Sequence, residues 1–436
     1  MSESYETILR TVAQVIREDY AGQPECAQRD NAQRWIEAVA AAEAAGTLDD
    51  ESFVRCMSQY LAAFQDPSLS FEASSKVACK PTTCGFSVRR YGDELYVVEA
   101  REDARLAPGD AVVRLDGLAP DDYLAQLIGN PVNGDDPERQ LWDDVLASCS
   151  QLLVRHANGD EETVPVERLP KPGFAEGLRP PKIEVLEGAG PNGDERAVVI
   201  AAHHFADASV LQAMQRHFED IQRADRVIID VRDVEEGMIG NAFGLMALFF
   251  DRETNLKDLM GQEIVYARYT QLNARMRAMQ LARLMDMSDE AGKGWVQAEI
   301  EHVAACAGKG FVMEAEFEED MLFPPAPEGQ KTLLLTDVRT SGPGERLVCF
   351  ARRAASAGCG KVRTVGRATR GSLDYANLLS VALDERFSLV YPMAKTEAAH
   401  KGRGTLGRGI APDVHVPFTP AECTQDLVLR AALVEP

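Results

Sequence analysis

Residues 4–66 repeat apolar positions at spacings of three and four, with Ile8, Leu9, Val12, Val15 and Ile16 in one set and Phe53, Met57, Leu61 and Phe64 in another. Such spacing puts one face of a helix into a core, so a helical module is expected over residues 1–75. From Gly85 the period changes to strand-like runs, 85–90, 94–100 and 111–115, the last ending at the turn Asp116-Gly117, with a short helix over 123–128. Two more runs, 151–155 and 162–166 around Asn158-Gly159, complete a β module expected over 80–168, and the Pro-rich stretch 168–182 reads as a linker.

Beyond residue 183 the pattern becomes α/β. Apolar runs at 197–201, 226–231, 331–336 and 361–365 predict buried strands, and 209–223 and 344–357 predict helices between them. Later strands are expected at 378–383, 387–390 and 413–416. Residues 259–287 and 294–307 read as helices, so a helical insertion is expected at about 255–325. Its Met-rich face of Leu272, Met276, Met279, Leu281 and Met285 is assigned to packing, while the insertion as a whole is either a dimer surface or a lid. The fold class is α/β and multi-domain, and homo-oligomerisation is left open.

Composition narrows the function. The 436 residues carry 46 Lys and Arg against 69 Asp and Glu, a formal charge of −23, which repels nucleic acid and anionic lipid alike. Charged residues from Glu3 to Asp19 interrupt the apolar run that a secretory signal would need. The longest apolar stretch, 242–250, is about half of what a bilayer requires. The nine cysteines are odd in number and scattered, as expected of reduced thiols in a cytoplasmic protein. Cys79 and Cys84 lack a second ligand pair for zinc. The Gly402 to Gly407 run fits G-x-G-x-x-G but has no strand before it and no helix after it, so no nucleotide is expected. No metal and no cofactor are assigned.

The order of a helical module, a β module containing LAPGDAVVRLDG, the strands VIIDVR and TLLLTD, then VGRATRGSLDYANL and GRGIAPDVHVP resembles the C-terminal processing, or tail-specific, serine peptidases. The resemblance implies a PDZ-like β module that takes a polypeptide by strand addition. Cys84, Gly85, Phe86 and Ser87 would form its carboxylate loop. It places the nucleophile at the start of the helix after TLLLTD, three residues before a Glu. Glu345 matches that Glu, so the nucleophile position is Gly342. The lysine base of some members falls on Ser372, and the histidine base of others, after Asp-Pro, falls on Ser68. The oxyanion loop reads Val234, Glu235, Glu236, Gly237, keeping one glycine of two and adding an acid where negative charge would have to be stabilised.

Nucleophile, base and half of the oxyanion loop are thus substituted together, and the resemblance implies a pseudopeptidase that binds a peptide or protein through Asp374, Tyr375 and the neighbouring cleft. Arg367 and Arg370 add positive charge able to meet a carboxylate. Two alternatives stand beside this reading. One is an active endopeptidase using Ser341, with His203 or His204 as base; Ser341 otherwise reads as a helix cap before Pro343. The other is a different reaction in the inherited cleft.

Overall fold

The computed structural model describes residues 3–435, except 78–81, 101–104, 129–131, 133, 135, 171–176, 236 and 318–319. Its centre is a six-stranded sheet in the order Val414–His415, Val362–Gly366, Lys331–Thr336, Arg226–Asp230, Glu195–Ala201, Lys182–Ala189. All neighbours are parallel except the last pair. Parallel strands need both faces covered, which is why the runs 197–200, 227–229 and 333–335 in the three central strands are apolar throughout rather than alternating. Val198, Ile200, Val227, Ile229 and Leu334 pack against Leu347, Val348 and Ala351 of the helix Gly342–Ser356. Val199, Ile228, Leu333, Leu335 and Val365 meet Val428 and Ala432 of the helix Leu427–Val434. At the carboxyl ends of this sheet the loops after Asp230, Thr336 and Gly366 lie side by side, the place where open α/β sheets bind their ligands.

A second sheet runs Ser70–Ala73, Phe387–Thr396, Gln262–Tyr269, Gly310–Phe317, with Tyr375–Ala382 also paired to Phe387–Thr396. The helices Tyr5–Glu18, Ala32–Ala44 and Asp50–Ala62 cover it. Val12, Ile16, Phe53 and Met57 share one buried cluster with Leu389 and Tyr391. Ser4 and Asp49 cap the first and third of these helices by accepting the Thr7 and Ser52 N–H groups.

The insertion differs from the expected pair of helices. Residues 259–287 are divided: Gly261, at φ +63°, ends the short helix Leu256–Met260, and Gln262–Tyr269 is a strand. Val265, Ala267 and Tyr269 are its buried residues, a period of two that a helical reading overrides. Gly310–Phe317 pairs with it along its whole length, a strand not anticipated. Only Gln271–Met287 and Glu290–Cys306 form the helical hairpin. Leu281 is buried and Leu272, Met276 and Met285 pack against the same cluster, whereas Met279 is exposed. The helix expected at 209–223 is likewise two, Ser209–Arg216 and Phe218–Arg223, broken at His217.

The β module is an antiparallel sheet in chain order, Phe86–Tyr91, Glu94–Ala100, Ala111–Leu115, Gln151–Arg155, Glu161–Pro165. Asp116 at φ +47° and Gly117 at φ +86° make the turn read from the sequence, and the Asp116 carboxylate accepts the Ser150 and Gln151 N–H groups. Its helix runs Pro120–Gln126, three residues earlier than expected. In the stretch read as a linker, Leu169–Pro170 pairs with Thr82–Thr83. Polar contacts dock the module on the core: Arg89 to Asp337 at 2.6 Å, Arg339 to Asp143 at 2.6 Å, and Arg139 to the Thr369 and Arg370 carbonyls at 2.6 and 2.9 Å.

Candidate active-site cleft

Two of the three loops at the carboxyl ends of the central sheet, those after Thr336 and Gly366, are tied together by one carboxylate. Glu345, in the first turn of the helix Gly342–Ser356, is fully buried. Its Oε1 accepts the Thr369 hydroxyl and, at 2.9 Å, the Gly371 N–H; its Oε2 accepts the Ser372 N–H and hydroxyl, both at 2.6 Å. Four donors answer two carboxylate oxygens, a satisfied arrangement for a buried acid. The Ser372 Oγ in turn accepts the Gly342 N–H at 2.7 Å. Positions 342 and 372, far apart in the chain, therefore touch.

Gly342 sits at φ +49°, where a side chain is strained, and a Cβ there would lie 3.1 Å from the Glu235 carbonyl oxygen. Ser341 is extended. Its N–H donates to the Val234 carbonyl at 2.9 Å, its own carbonyl accepts the Gly344 N–H, and its side chain makes no capping bond. Among the described residues no base is hydrogen bonded to the Ser341 hydroxyl. His204 accepts the Ala206 N–H through Nδ1 at 3.2 Å, and His203 faces Asp233 at 4.0 Å. Burial, with help from Arg179, pulls His203 below the ordinary histidine value.

Gly237 has a local reason to be glycine. At φ +118° a Cβ would fall 2.0 Å from the Phe205 carbonyl carbon, and Phe205 and Gly237 form a parallel bridge. Glu235 pairs with Arg339 at 3.5 Å, while Glu236 lies outside the described residues.

Around the site run two further networks. Asp66 is buried, accepts the Tyr20 hydroxyl at 2.8 Å and the Ser68 N–H at 2.9 Å, and is pushed up to about 6 by burial. Tyr375 is buried with its ring 5.6 Å from that of Tyr20. Asp374 accepts the Thr405 and Leu406 N–H groups, each at 2.8 Å, and so fastens the Gly402 to Gly407 segment. Asp374 and Tyr375 thus both have structural partners. Arg367 is matched by Asp337 at 2.9 Å and by Glu422. In the β module, the Gly85 N–H donates to Thr83 Oγ1 at 3.2 Å, Phe86 packs in the module core, and Phe86 and Ser87 pair with Ala100 and Glu99. No group of three or more metal-ligating side chains is assembled among the described residues.

Sequence reasoning located Gly342, Glu345 and Ser372 but did not bring in Thr369, Tyr20, Arg139 or Arg339. Thr369 lies in the best-matched segment, and its alternation with Gly371 toward Glu345 was the available signal. Arg139 and Arg339 act across the module boundary, which no local pattern announces.

The fold so built defines a class. The chain superposes on mature CPAF complexed with lactacystin with a TM-score of 0.60 at 14% identity, spanning 98% of this chain and 96% of that one. A mutant of CPAF gives 0.62 at 13% identity, over 98% and 97%. The photosystem II D1 C-terminal processing protease aligns over 100% and 98% at 14% identity, but at a TM-score of 0.44 the likeness is too loose to argue from. No family model and no curated protein sequence matches the chain. What the two CPAF likenesses show is the fold: a multi-domain α/β protein with the architecture of CPAF.

Proposed function

We propose that this protein is a pseudopeptidase, binding a polypeptide in the cleft of a tail-specific peptidase fold without hydrolysing it. The observation that carries the reading is the contact between Gly342 and Ser372. The positions that the resemblance assigns to nucleophile and base are occupied by a residue with no side chain and by a hydroxyl already donating to Glu345 and accepting from Gly342. Acyl transfer needs an alcohol beside a group that takes its proton, and this pair supplies neither. The polypeptide would add to Phe86–Tyr91, the outer strand of the β module, with the loop at Gly85, Phe86 and Ser87 at one end. That strand stands next to the cleft through the Arg89 and Asp337 ion pair.

The test is incubation of the purified protein with an unfolded, dye-labelled casein and, separately, with a fluorophosphonate probe. Saturable casein binding with no fragment release and no labelled protein is expected. Cleavage that disappears in Ser341→Ala, or a probe adduct on Ser341, would establish the endopeptidase reading instead.

A further inference from the structure

Three arginines surround the Gly342 end of the cleft, and two are committed. Arg139 spends both terminal nitrogens on the Thr369 and Arg370 carbonyls. Arg339 is ion paired with Asp143 and with Glu235. Arg370 is different. Its backbone is fixed, the N–H donating to the Thr340 carbonyl at 2.9 Å, yet its guanidinium has no hydrogen-bond or ion-pair partner among the described residues, and Nη1 is wholly buried without one. After burial, the charges that act on it most are Glu235, which attracts it, and Arg339 and Arg139, which oppose it, with Asp143 weaker, yet none of these acids is in direct contact with it. Burial draws this guanidinium below the usual arginine range, with the two neighbouring arginines pushing the same way. A half-buried cation without a direct partner is costly unless something pairs with it.

The neighbouring cavity of about 310 Å³ is a poorer anion site. Arg139 and Arg367 line it, but so do Asp136 and Glu138, and Arg367 already has Asp337 and Glu422. We infer that Arg370 receives a carboxylate of the bound polypeptide, seated between the Glu235 loop and the Thr340 to Gly342 turn. Guanidinium and carboxylate match in shape and charge, and a two-pronged bond of this kind orients as well as attracts. The inference rests on the polypeptide-binding reading and names the group recognised. It moves the carboxylate away from Gly85, whose N–H is already taken by Thr83.

Two measurements separate the inference from that reading. In the first, dansyl-labelled dodecapeptides of Gly, Ala, Leu and Thr are titrated by fluorescence anisotropy: one with a free C-terminus, one amidated, and one amidated with a single internal Asp. A charge-assisted bond predicts about tenfold or greater preference for a carboxylate-bearing peptide over the plain amide, abolished in Arg370→Gln and partly kept in Arg370→Lys. The free-terminus and Asp peptides show which source of carboxylate is read. In the second, N-acetylglycine and its amide are compared at constant ionic strength for their effect on the melting temperature. The acid raises it in the wild type and not in Arg370→Gln, whose folding is checked by its circular dichroism spectrum and cooperative melt. Peptides bound equally well with and without a carboxylate would overturn the inference and leave polypeptide binding standing. A melting shift through Arg370 with no peptide bound would do the reverse. Neither effect would sink both.

Discussion

Replacing Glu345 removes the buried carboxylate that ties the loop after Gly366 to the helix Gly342–Ser356. In Glu345→Ala the Gly371 and Ser372 N–H groups lose their acceptor in a fully buried place, while the Thr369 and Ser372 hydroxyls are able to rotate toward other oxygens. Each orphaned buried donor costs about 1–3 kcal/mol, so the two amides alone cost roughly 2–6 kcal/mol before the cavity is added. Relief of the buried charge offsets part of this, and a loss of about 4 kcal/mol is expected. Glu345→Gln is milder. Its amide nitrogen faces one of the two donor pairs, whose hydroxyl can turn round and accept but whose N–H cannot, so one orphan remains and about 2 kcal/mol is lost. At roughly 1–2 °C per kcal/mol for a chain of 436 residues, the two variants should melt about 6 °C and about 3 °C below the wild type. Differential scanning calorimetry measures the shifts, and hydrogen exchange of the Gly371 and Ser372 amides gives the local readout. Melting within about 2 °C of wild type for Glu345→Ala, with those two amides still protected, would refute the claim that this carboxylate organises the cleft.

Further outcomes follow from neighbouring residues. Because the carboxyl of Asp66 is raised in the folded chain to about 6 from 3.8, its contribution to stability is fully present below pH 3.8 and is lost as pH rises through 6, amounting to about 3 kcal/mol; urea unfolding from pH 4 to 8 should show this slope flattened in Asp66→Asn. Asp337 has the opposite sign. Burial alone would raise it, but Arg89 and Arg367 hold it down at about 2, so its contribution is present above 3.8 and lost as pH falls toward 2. Arg89→Met should remove part of that acid sensitivity and loosen the β module in limited proteolysis. Gly237→Ala places a methyl 2.0 Å from the Phe205 backbone and should cost about 3 kcal/mol or more, read as a lowered urea midpoint. Gly342→Ser restores a hydroxyl at the position implied for the nucleophile and should still give no fluorophosphonate adduct, since Ser372 has no free electron pair basic enough to take its proton.

The central sheet was legible because its strands are buried on both faces, so Arg226–Asp230 and Lys331–Thr336 read as unbroken apolar runs bounded by polar residues. Gln262–Tyr269 was not, because its Gln, Glu and Arg suit an amphipathic helix as well as a one-faced strand, and only its pairing partners decide between them. At the site, the resemblance aligned Gly342 with Ser372 closely enough that the two are in contact. Charge matching was hidden. Arg367 and Arg370 are equivalent in the sequence, and only the fold shows that Asp337 and Glu422 pair with one, while the guanidinium of the other has no hydrogen-bond or ion-pair partner among the described residues.

The pairing of Ser70–Ala73 with Phe387–Thr396 has a consequence for biogenesis. The Ser74 hydroxyl meets the Glu385 carbonyl across 311 residues of chain. During synthesis at about 5–20 residues per second, the first three long helices wait roughly 15–60 s for the strand that will cover Phe53 and Met57. Throughout that interval their oily sides are bare on the ribosome, and closure must then occur over nearly the whole length of the polypeptide, the slowest kind of contact to form.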